Sequence, residues 1–168
     1  MKKQSGKLKV LFHLVIVLSV LGFCSAAQAQ AIAVGLQVNA NQDGLEVTTR
    51  GNCQKLPNPN GCIYVRGAVQ ISFNLPDSRC SDNESWQLEQ VLLGNSEKGG
   101  SGNISATAAS DFNADQASGV VTPVAASAKH ILIRDENSAV YDIWYTVSAS
   151  CGGETIYTDP RIENGGKE

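Results

Sequence analysis

Asp142 and Trp144 fall on the same side of one extended stretch, residues 138–151 (SAVYDIWYTVSASC). An acid beside an aromatic on a sheet face is an arrangement suited to recognising a glycan or a protein. Trp86 and Tyr157 are the other aromatic candidates for such a face, although a tryptophan on a strand more often packs in the core. Acid–base chemistry on a glycosidic bond needs two carboxyl groups at a fixed separation, and Asp77, Asp82, Glu84, Glu89, Asp142 and Asp159 are the acids available for it. Nucleophilic chemistry finds less material. His130 is the only histidine beyond His13, and no G-x-S-x-G turn or similar nucleophile elbow is present. A single histidine also excludes three-histidine zinc and two-histidine iron centres within one chain.

Two loops carry oxygen ligands at short intervals. Asp111, Asn113 and Asp115 alternate as the first ligands of a calcium loop do, but Gln116 stands where a glycine normally follows and Thr122 where a closing glutamate would be. The reading favoured is ordinary turn capping, with calcium as the only cofactor to consider. Asn39, Asn41, Asp43 and Glu46 make a weaker set and are read as a hairpin turn at Asp43-Gly44.

Residues 1–29 have the form of an export signal. Lys2, Lys3, Lys7 and Lys9 precede an apolar run over 10–23, and small residues at 25–29 offer cleavage sites, preferably after Ala29. The apolar run is shorter than the roughly 20 residues of a spanning helix, so a retained anchor is not expected. Bulky Phe23 before Cys24 argues against lipidation there. Of the 13 Lys and Arg in the chain, four leave with this segment, and the nine that stay face 16 Asp and Glu, a formal charge of −7. That balance gives no footprint for nucleic acid or anionic lipid.

Cys53, Cys62, Cys80 and Cys151 remain, and in an exported chain they are expected as disulfides. Three pairings exist in principle. The preferred one joins Cys53 to Cys62 across a Pro/Asn/Gly turn and leaves Cys80 with Cys151. A four-thiolate zinc site would call for a closely spaced C-x2-4-C pair, which is absent.

The elements that must position these residues alternate with a period of two. Strands are predicted over 31–38 and 45–50, then 62–75 with a bend or bulge at Gly67, then 85–94, where two helical turns are the competing reading. Residues 104–108 suggest a strand followed by a loop or short helical turn over 110–116, and 120–124 a short strand stopped by Pro123. The pattern continues with a connector over 125–129, a strand over 130–134 joined as a hairpin to the central strand 138–151, and a last strand over 154–158. The expected fold is all-β: one disulfide-stabilised antiparallel β-sandwich domain, residues 30–168, of about seven to nine strands.

The end of the chain resembles the bacterial inclusion-body-protein family, small β-sandwich proteins. The likeness lies in Tyr141 to Val147, the Gly152-Gly153 turn, Tyr157 and Asp159-Pro160-Arg161-Ile162. It implies a sandwich and carries over no active residue. The first expectation for function is an exported, periplasmic or secreted, non-catalytic protein that binds a protein, glycan or small ligand. A carboxylate-dependent glycan hydrolase and a self-assembling envelope or matrix protein are the alternatives, so an oligomer is one of the states to consider.

Overall fold

The computed structural model describes residues 29–55, 59–95, 102–158 and 160–166. The export segment with Cys24, and Asp159, therefore lie outside the described residues, apart from Ala29.

Among the described residues, ten strands form two packed sheets and one helix lies against them. The first orders β2 (Leu45–Val47), β1 (Gln30–Val38), β4 (Val69–Asn74), β7 (His130–Asp135) and β6 (Ala125–Ser127). The second orders β3 (Ile63–Val65), β10 (Arg161–Gly165), β8 (Val140–Cys151) and β5 (Gln87–Gly94), with β9 (Glu154–Thr158) also paired to β8. The mainly β sandwich and both preferred disulfides are present, Cys53–Cys62 and Cys80–Cys151.

Alternation explains how each sheet buries one face. From the first sheet Val34, Leu36, Val69, Ile71, Phe73, Ile131 and Ile133 point inward, and from the second Ile63, Val65, Ile143, Tyr145, Val147, Ala149 and Ile162 meet them. Phe73 and Tyr145 meet across the interface as a tilted ring pair with centroids 5.3 Å apart. The Tyr145 hydroxyl donates to Gly61 O at 2.7 Å, so this tyrosine is buried without an unmet polar group. β5 changes parity along its length, since Leu88 and then Val91 and Leu93 are all buried. A register shift between Leu88 and Gln90 accounts for it: the extra residue turns the later side chains over.

The structure departs from the sequence reading at several places. The sheets are not purely antiparallel, because β1 runs parallel to β4 and β10 parallel to β3. Residues 62–75 form two strands in different sheets, and Gly67 between them has φ +69, a left-handed conformation that favours glycine. The step from β7 to β8 is likewise a crossing between sheets rather than a hairpin. Asn137 makes it, at φ 47, with its N–H on Asp135 Oδ1 at 2.8 Å. Its amide also donates to Gly67 O at 3.3 Å, so the two crossings are tied at one corner.

Residues 106–108, read as strand, begin a helix, α1 (Ala106–Phe112). Ser105 caps it by accepting from the Ala108 N–H, and the i, i+4 pair Ala108 and Phe112 turns toward the core. The strand expected over 120–124 is reduced to isolated bridges at Val120 and Val121, while β6 forms where a connector was expected. Gly119 explains the bridges: at φ +75 the chain passes so close to β5 that an added Cβ would sit 2.1 Å from Leu93 O. The turn after β1 is also wider than a two-residue hairpin. Asn39 N–H bonds to Gly44 O, and Gln42, not Gly44, takes the positive φ.

Candidate functional site

β8 is the long central strand that the alternation of 138–151 predicts, and its outward side carries Asp142, Trp144, Thr146, Ser148 and Ser150. β10 lies against its first half with Arg161 opposite Trp144 and Glu163 opposite Asp142. β9 lies against its second half with Tyr157 opposite Ser148. Asp142, Trp144, Arg161, Glu163 and Tyr157 therefore share one sheet face.

Glu163 is buried there at 3% exposure, yet fully occupied. Gln54 N–H donates to its Oε2 at 2.7 Å, Lys55 N–H to its Oε1 at 3.1 Å, and Arg161 Nη2 to the same Oε1 at 2.7 Å. Arg161 Nη2 also donates to Lys55 O at 3.1 Å. Its guanidinium is thereby held over the Trp144 ring, 5.7 Å from the centroid, in cation–π range. The Cys53–Cys62 disulfide closes the loop that supplies these backbone groups.

Asp142 is exposed and pairs with Lys55 Nζ at 2.7 Å. Each acid on the face thus has its own cation, Lys55 for Asp142 and Arg161 for Glu163. With the Lys55 and Asp142 side chains 63% and 35% exposed, solvent screens the first pair. Asp142→Asn is expected to change unfolding free energy by less than about 1 kcal/mol. Urea unfolding of the variant checks this; a loss several times larger would mean that Asp142 holds the loop in place.

The other candidates are dispersed. Trp86 is 1% exposed and belongs to the core, leaving Trp144, half-buried, as the tryptophan on the face. Tyr157 is 53% exposed. The calcium candidates do not converge: Asp111 is buried and accepts from Ser138 N–H and the Tyr141 hydroxyl, both at 2.9 Å. Asn113 is the left-handed C-cap of α1, and Asp115 accepts from Ser118 N–H at 2.7 Å in a local turn. Those bonds to Ser118 hold the Asp115 carboxyl below its ordinary range. Asn39 and Asp43 bond to each other across their turn.

Among the acids considered for catalysis, Asp77 extends into solvent near Lys129 at 3.5 Å, and Glu84 lines a cleft of about 450 Å³ beside the Cys80–Cys151 bridge. Asp142 and Glu163 stand directly opposite on neighbouring strands, but Glu163 is covered by residues 54 and 55. His130 sits at the start of β7, half-buried, opposite Asn74.

Sequence reasoning missed Lys55, Arg161 and Glu163. The signal for the last two was present: Arg161, Ile162 and Glu163 alternate charged, apolar, charged, as a strand buried on one face does. Lys55 had no such signal, because it comes from an irregular loop. No protein-family model matches the chain, and no curated protein matches it.

Proposed function

We propose that the chain is an exported, non-catalytic binding protein that recognises a protein partner through the outward face of β8, β9 and β10. The observation that carries this reading is the Trp144–Arg161–Glu163 stack. Trp and Tyr are among the residues that dominate binding energy at protein interfaces, and an aromatic ring braced from beneath loses little freedom on binding. Here Arg161 is fixed on both sides, by Glu163 and by Trp144, with Tyr157 on the same face.

The hydrolase reading has less support, because the acid opposite Asp142 is covered and clasped by its own loop. Self-assembly through sheet edges also has less: β2, β3 and β6 are three residues long, and Gly119 and Val121 already bond to β5.

A photo-reactive benzophenone side chain placed at Tyr157 in cells tests the proposal. One discrete protein adduct is expected, lost when Trp144→Ala is added, with none from the same group at Ala126 on β6. Adducts of equal strength from both positions, or a face that retains glycans and no protein, would overturn it.

A further inference from the structure

The corner where the chain crosses between sheets holds a second polar cluster, well inside the protein. Asp135, Asn137 and Asn164 are 0%, 0% and 2% exposed, and Asp111 is 4% exposed. The groups facing Asp135 come from every element around it: Asp111 from α1, Tyr141 from β8, Asn164 from β10, and Glu136 and Asn137 from the crossing itself. Glu136 is partly neutralised by Arg134 at 2.5 Å.

Asp111 has the donors that an ion needs, since its Oδ2 accepts from both Ser138 N–H and the Tyr141 hydroxyl. Asp135 does not. Its Oδ1 accepts from Asn137 N–H at 2.8 Å and from Asn164 Nδ2 at 3.5 Å, but its Oδ2 has no partner. Asn164 Oδ1, on the amide already bonded to Asp135, has none either. Two buried acceptors without donors, on two groups that share one bond, are a costly arrangement if both groups are as usually drawn. A proton on Asp135 would supply the one donor that this pair of groups lacks.

We propose that Asp135 is a neutral acid in the folded protein and donates its Oδ2–H to Asn164 Oδ1, closing an acid–amide clasp between β7 of one sheet and β10 of the other. The clasp sits against Asn137, whose side-chain oxygen accepts from Gly166 N–H and whose amide donates to Gly67 O, so it secures the corner where both crossings meet. Burial pushes the Asp135 carboxyl up to about 7; the Asn137 N–H opposes that shift, and the charge of Asp111 adds to it.

The pH dependence follows in sign. The unfolded chain ionises this group near 3.8, the folded chain near 7. Its contribution is complete below the lower value, falls as pH rises between the two, and is gone above the upper. The clasp therefore tightens in mildly acidic surroundings and loosens above neutrality, the reverse of the usual carboxylate behaviour.

Urea unfolding of the oxidised protein between pH 4 and pH 8, for the wild type and Asp135→Asn, tests the clasp. The amide of the variant can donate to Asn164 as the acid does, but cannot ionise. The folded-to-unfolded ratio of the wild type is expected to fall by about a hundredfold or more relative to the variant across this range, one decade for each unit of pKa difference. Should the variant not fold, ¹³C titration of the wild-type carboxyl groups reads the same property, with Asp135 expected to titrate near neutrality. Parallel wild-type and variant profiles, or an Asp135 signal that titrates below pH 5, would overturn the proposal. So would a wild type that calcium stabilises at pH 8 while the variant stays indifferent, since the corner would then be a cation site.

Discussion

Replacing Cys80 and Cys151 together by alanine is expected to lower the unfolding free energy by about 4 kcal/mol, against about 2.5 kcal/mol for replacing Cys53 and Cys62. The difference comes from the unfolded chain, where a bridge across 71 residues removes more freedom than one across 9. The long bridge also ties the loop between β4 and β5, which steps from one sheet to the other, to the end of β8. Chemical unfolding of the two double variants against the oxidised wild type measures both numbers. Equal losses, or a larger loss from the short bridge, would show that the loop at 53–62 matters more through its native contacts than through chain entropy.

Glu163→Ala is the single side-chain change expected to cost most, about 3 to 5 kcal/mol. It leaves the Gln54 and Lys55 N–H groups without their carboxylate and Arg161, whose side chain is 12% exposed, as a nearly buried charge without its acid. The loss should exceed simple deletion of packing because the partners stay behind. Removing both charges, with Arg161→Met and Glu163→Leu together, should recover a good part of it, since a buried pair often does no better than apolar residues of similar size. Urea unfolding of the single and double variants separates the two effects. A loss below about 1 kcal/mol for Glu163→Ala would mean that water enters and replaces the carboxylate.

What could be read from sequence was what alternation and local chain closure determine. The inward side of β8 and both disulfides follow from such local cues, whereas Trp86, a candidate for the face, lies in the core. Pairing partners do not. The hairpin expected between β7 and β8 failed because Asp135 and Asn137 are bonded into the interior, to Asn164 and Gly67, and those partners lie 29 and 70 residues away. The parallel neighbours of β1 and β10 are distant in the same sense.

Residues 104–108 were ambiguous for a different reason. Alanine fits a weak strand pattern and is also the best helix former, so the capping bond of Ser105 decides. Asp111 read as a calcium ligand because its spacing with Asn113 and Asp115 is regular, whereas its actual partner, Tyr141, is 30 residues away. On the candidate face, Asp142, Trp144 and Tyr157 were recognisable from strand parity. The clasp around Glu163 was not, because two of its three donors are backbone N–H groups of an irregular loop.

The most direct test of the β8 face as the recognition surface is the affinity of the cross-linked partner, once identified, for a set of alanine variants. Trp144→Ala and Tyr157→Ala should each weaken binding tenfold or more, about 1.4 kcal/mol, with Ser127→Ala and His130→Ala within about twofold of wild type. If the face variants bind as the wild type does while a change on β6 or at His130 abolishes binding, recognition lies on the other sheet and not on the β8 face.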